Sequence, residues 1–319
     1  MPARSAAEAA AVHLLAGWMG ERFFRTFRID DGDPAPYDAV LQQRERRIGV
    51  TTGVLWPEGP VAGAADLAEL LTSDIAGDPS VASGGYVVWV PPHVALPEGE
   101  PHRSRLRVIL ANSLSGLAPG ERREVRLPAT VKLAKIAADG AYVSVTGGLA
   151  SEWLALSEGV RGAFHLDSRA IHRTPSERPE LDLILTRVRD RAAVLEPLEV
   201  TDVDIDDTWT VSRLPEGAPA GVTVIAAPES SDPIDGVAVR RGLRAHVARA
   251  VTQREAGEAG LSALVVVAAL AHLSDELVTA SLRGMNPMAY GVLDLIVLVA
   301  DGQVRQVLQP RTLPWEPPR

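Results

Sequence analysis

A strand-length run near the C-terminal end, Val292 to Val299, constrains this chain most: nearly every residue in it is apolar. A strand apolar at both odd and even positions has no face for water, so it belongs inside a sheet covered on both sides. Leu264 to Ala268 is a second apolar run. Its length suits either a buried strand or part of a buried helix, which periodicity does not separate. The longer stretch around it, Leu261 to Leu273, contains Ser262 and His272 and is too short to span a bilayer. Asp301–Gly302 reads as a hairpin turn from the first run into Val304–Leu308. Covered strands call for flanking helices, so the expected class is mixed α/β.

The rest of the chain supplies those elements. Residues 6 to 27 read as a helix, with Val12, Leu15, Met19 and Phe23 at helical spacing. Pro and Gly make residues 30 to 36 a loop. Tyr37 to Gln42 and Arg47 to Leu55 read as strands joined by a charged turn, Gln43 to Arg46. Residues 64 to 75 and 103 to 117 are expected helices, and Gly85 to Val90 is a strand stopped by Pro91–Pro92. In the middle, apolar residues from Val125 to Leu133 alternate with more polar ones. With Gly140–Gly148 and the Phe164–Leu166 segment they suggest a small antiparallel insert, in which Val143, Val145, Phe164 and Leu166 face inward. Helices are expected over 180 to 195, 237 to 254 and 277 to 282, the last after a cap-like Ser274-Asp-Glu. The expected organisation is a core over 1–120, a β-rich insert with an acidic connection over 121–236, and a C-terminal α/β segment over 237–319 that completes the core.

Composition removes several chemistries. There is no cysteine, hence no disulfide, thiolate metal site or cysteine nucleophile. All but two of the 32 basic residues are arginines, the exceptions being Lys132 and Lys135, so lysine-based catalysis is nearly excluded. A net charge of −9 argues against a nucleic-acid coat or a membrane-surface protein. The apolar stretch Ala9–Met19 is interrupted by His13 and lacks the marks of a signal peptide, which leaves a cytoplasmic location as the expectation. The common P-loop, dinucleotide, zinc-protease and hydrolase-elbow motifs are missing.

The segment PYDAVLQQRERRIGVTTGVLW, Pro36 to Trp56, is preceded by a helix and followed by a helix and a strand. It resembles the PD-(D/E)XK nuclease-like superfamily, whose restriction-endonuclease-like core runs αβββαβ. The resemblance covers about residues 6 to 92. It implies an Asp entering one strand and an acid-x-Lys triplet on the next, with a helical Glu assisting, around Mg²⁺. Asp38 falls at the Asp. Thr51 and Gly53 fall at the acid and the Lys, and neither keeps that chemistry. Glu21 on the first helix is the candidate assisting acid. Glu45, in the turn, is a candidate replacement acid. The resemblance therefore implies a degenerate site.

Other groups have chemical potential and a plainer alternative. Asp202, Asp204 and Asp206 alternate, so a strand places them on one face as a candidate metal site or as a solvated acidic edge. His165, Asp167 and His172 have ligand chemistry without a known spacing. Asp294, inside the apolar run, is a site candidate or sits at the strand's entrance. The glycines of Ser144 to Trp153 suit an anion or a tight turn. Arg240, Arg241, Arg244 and Arg249 suit phosphates or a solvated helix face. The expected role is non-catalytic binding or scaffolding in a larger assembly, with no cofactor, no membrane, and another protein or a second copy as partner. The alternatives are a metal-dependent nuclease with a rearranged site, using Mg²⁺, and an unrelated oligomer-forming protein.

Overall fold

The computed structural model describes residues 5–56, 61–79, 81–274 and 276–316. Helices are α1 (Ala6–Phe23), α2 (Ala64–Gly77), α3 (His102–Leu114), α4 (Trp153–Ser157), α5 (Arg178–Val194), α6 (Gly236–Ala256), α7 (Ala271–Ser274) and α8 (Leu277–Arg283). Strands are β1 (Arg28–Ile29), β2 (Ala39–Gln43), β3 (Arg46–Val54), β4 (Gly85–Trp89), β5 (Arg122–Ala137), β6 (Ala141–Gly147), β7 (Gly162–Ser168), β8 (Val200–Arg213), β9 (Gly221–Ile225), β10 (Leu261–Val267), β11 (Leu295–Ala300) and β12 (Gln303–Leu308). The fold is mixed α+β. The chain divides into two compact units: residues up to Arg123 together with those from Thr210 onward, and Glu124–Trp209.

In the first unit a six-stranded sheet runs β1-β2-β3-β10-β11-β12. β2 and β3 form the expected antiparallel hairpin, with Ala39 opposite Val50. β10 lies parallel to β3, Ile48 opposite Leu261, and parallel to β11, Ala263 opposite Leu295. Both apolar runs are thus interior strands. Alternate residues explain why they are apolar throughout. Ala263, Val265 and Val267 pack with Ala11, Leu15 and Met19 of α1. Leu264, Val266 and Leu298 face Val239, Leu243 and Val247 of α6. The Leu264 run is therefore a strand, paired with β3 and β11 and covered by α1 on one face and α6 on the other. The helix α2 and strand β4 that follow the hairpin in sequence do not complete this sheet. β4 pairs with the end of β8 and with β9.

α1 begins in a capping box. The Ser5 hydroxyl accepts the Glu8 N–H at 3.3 Å, and the Glu8 carboxylate accepts the Ser5 N–H at 3.0 Å. It ends at Phe24, in left-handed conformation with φ 52°, so Phe24 to Phe27, expected to continue the helix, lie outside it. Asp275 of the expected cap, and residues 317–319, lie outside the described residues.

The second unit is a sheet ordered β6-β7-β5-β8, with α5 packed on one face. Phe164 and Leu166 are buried, and Val143 and Val145 pack against the same core half-buried. The insert is not wholly antiparallel. β5 and β7 are antiparallel, but β6 and β7 are parallel. The reason is α4, which lies between β6 and β7 in sequence and carries the chain back to the sheet's starting end. Among the described residues, no helix is long and apolar enough to cross a membrane.

Candidate functional site

Asp38 enters β2 just after Pro34 and Pro36, and its own N–H donates to the Val50 carbonyl at 3.0 Å. That bond fixes the carboxylate beside the middle of β3. Its Oδ2 accepts the Thr52 N–H at 2.7 Å and lies 3.2 Å from the Thr52 hydroxyl. The Arg249 guanidinium, from α6, is 3.2 Å from the same oxygen. Oδ1 accepts the Gln253 amide N–H at 3.3 Å. Gln253 in turn accepts the Thr51 hydroxyl, and Arg249 also donates to the Thr52 carbonyl. Arg249 and Gln253 are four apart on α6, so one helix face delivers both. Asp38 is only 15% exposed.

Glu8 completes this cluster from the other side. Its Oε1 is 3.2 Å from the Thr52 hydroxyl, while Oε2 is held by Ser5. One hydroxyl proton faces two carboxylates there, so it donates to one of them at a time. Glu8 is the helical acid at this place. Glu21 is exposed, thirteen residues further along α1, about 20 Å away along the axis. Glu45 is exposed at the hairpin tip, about 20 Å from Asp38 along the strand. The geometry therefore brings neither Glu21 nor Glu45 to Asp38. The Ser5-x-x-Glu8 box was the available signal for Glu8, because it fixes that side chain at the start of α1. Gln253 carries no comparable sequence signal.

The two positions that the resemblance assigns to an acid and a Lys are closed. Thr51 is buried and bonded to Gln253. A Cβ at Gly53 would overlap the His246 imidazole, whose Nε2 lies 2.8 Å from the Val54 carbonyl. A second close approach, of the Tyr37 ring to Gly49, brings the residue before Asp38 onto β3. Mg²⁺ needs a near-octahedral shell of oxygens. Here a guanidinium already neutralises Asp38, and among the described residues no three His, Asp or Glu side chains group as metal ligands. These residues do not fit that ion.

The remaining candidates are spread out. Asp202, Asp204 and Asp206 share one face of β8, Asp204 bonded to the Thr130 hydroxyl at 3.2 Å and Asp206 4.0 Å from Arg187. Asp207 points the other way and is buried. It accepts the N–H groups of His172 and Arg173, each at 2.9 Å, and the Trp209 indole N–H at 3.1 Å, with His172 Nδ1 3.1 Å away. Asp167 pairs with Arg169, whose hydrogen bonds hold its carboxyl down at about 2, and His165 lies 3.4 Å from the Ser144 hydroxyl. Asp294 is buried at the entrance to β11, accepting the Ser262 N–H at 2.8 Å. Arg240, Arg241 and Arg244 are exposed.

A groove of about 410 Å³ between α2 and α3 contains Asp74 and Arg107. Arg107 Nε donates to Asp74 at 2.6 Å, and these hydrogen bonds lower the Asp74 pKa. Its principal charges are thus already spent on each other. No family model matches the chain, and neither a curated protein nor a solved structure does.

Proposed function

We propose that this chain is a non-catalytic binding or scaffolding protein, acting in a larger assembly on a degraded nuclease-like core. The order α1, β1, β2, β3, α6, β10, with β10 parallel to β3, supports the core. On this reading the chain between β3 and α6 is an insertion. The observation that carries the loss of catalysis is the engagement of Asp38 by Thr52, Gln253 and Arg249. A carboxylate so bonded has its oxygens turned to protein donors rather than to a metal. The cluster then serves to clamp α6 onto β3.

The test incubates pure protein with single- and double-stranded DNA and RNA in Mg²⁺ or Mn²⁺, beside Asp38→Ala. No cleavage is expected from either. Wild-type cleavage that disappears in Asp38→Ala promotes the second reading, a metal-dependent nuclease with a rearranged site. The convergence of Glu8 and Asp38 on the Thr52 hydroxyl is the observation in favour of that reading.

A further inference from the structure

A strand at the rim of a sheet exposes unpaired N–H and C=O groups, and proteins guard rims with short strands, charges, prolines or a covering element. β1 has two residues, one of them Arg28. β12 carries Arg305. β9 is covered by α2, whose Thr72 hydroxyl accepts the Val222 N–H at 2.9 Å. β6, with the sequence AYVSVTG, is seven residues long and has neither a charge nor a proline.

The outward groups of β6 follow from its pairing with β7. The Gly140 carbonyl accepts the Gly162 N–H at 2.7 Å, the Thr146 carbonyl accepts the Ser168 hydroxyl at 2.7 Å, and the Gly148 N–H donates to the Ser168 carbonyl at 3.2 Å. Even-numbered residues therefore bond towards β7. Strand alternation turns the N–H and C=O groups of Val143 and Val145 to the open side. Apolar surface flanks this rim. Tyr142 is 63% exposed, and Trp153 and Leu154 are 54% and 67% exposed on α4, which packs against β6. Trp and Tyr are the residues that most often anchor an interface.

We propose that β6 pairs with β6 of a second copy, antiparallel about a two-fold axis at Ser144. In this register Val143 lies opposite Val145 of the partner subunit and exchanges both backbone hydrogen bonds with it, an arrangement the axis repeats. Tyr142 stands beside Thr146 of the partner subunit, a favourable aromatic with β-branched pair. The strand is thus complementary to itself, as a two-fold contact requires. β6 itself offers a foreign strand no charge to recognise. The inference stands on the second unit alone and does not depend on the nuclease-like reading.

Sedimentation equilibrium of the full chain tests it. The wild type should reach the mass of a dimer, with exchange of the Val143 and Val145 amides slowing as concentration rises. Val143→Pro deletes an outward donor and leaves the β7 ladder intact. Ser144→Lys sets two like charges face to face on the axis. Val143→Pro should weaken association by about tenfold or more, because the axis doubles the loss to two backbone hydrogen bonds, and Ser144→Lys should weaken it by repulsion across the axis. A wild type that stays monomeric, or association that neither substitution changes, overturns the proposal. If Val143→Pro loses the wild-type circular dichroism, Ser144→Lys decides alone.

Discussion

At the scale of single residues, the Asp38 carboxylate is the acceptor that lets the Thr52 N–H be buried in β3. Asp38→Ala strands that donor and should cost about 1–3 kcal/mol, read as a lower urea midpoint with unchanged slope. Asp38→Asn keeps an acceptor oxygen and should cost less. Gly53→Ala forces a methyl into the His246 ring, so we expect a loss of about 1–3 kcal/mol by overpacking. Gly77→Ala, where a Cβ meets nothing within 4 Å, is the control. Asp167 supplies the pH dependence. Its folded pKa of about 2 lies below its ordinary 3.8, so its stabilisation is present above about pH 4 and lost as pH falls towards 2. The gap between wild type and Asp167→Asn should close over that window. It stays under about 1 kcal/mol, because Arg169 is 78% exposed and screened by water. The site was half legible in the sequence. Asp38 stands out because an acid enters an apolar strand. Arg249 and Gln253 reach it from more than 200 residues away, a distance across which no local pattern reports contact.

At the scale of elements, legibility followed how local the cause was. The β2–β3 hairpin was readable because a short charged turn separates two apolar alternations, and its register follows from the turn. β10 was ambiguous because its covering helices decide it, and α1 lies far from it in sequence. The direction of β6 was misjudged because a five-residue helix, α4, is long enough to reverse a connection and too short to announce itself. In the same unit, Asp207 ties the segment before α5 to β8 through three contacts to His172 and Arg173, and it also accepts the Trp209 indole N–H within β8. Asp207→Ala leaves several buried donors without an acceptor and should cost about 3 kcal/mol or more. Trp209 reports it directly, since its indole loses a hydrogen bond, and we expect an altered emission of that residue before global unfolding.

At the scale of the molecule, the two units have separate cores. α1 and α6 sandwich the first sheet around Leu15, Val265 and Leu243, and α5 covers the second around Leu185, Phe164 and Ile205. Burial is what makes folding cooperative, so two cores allow two transitions. Leu185 is 1% exposed, and truncating it removes buried apolar volume from the second core alone. Leu185→Ala should therefore cost that unit about 2–5 kcal/mol and lower its calorimetric transition. The transition of the other unit should stay where it was. Site-resolved hydrogen exchange separates the two, because amides of α5 and β7 should lose protection while those of α6 and β10 keep it. If both sets lose protection together, the units unfold as one cooperative body.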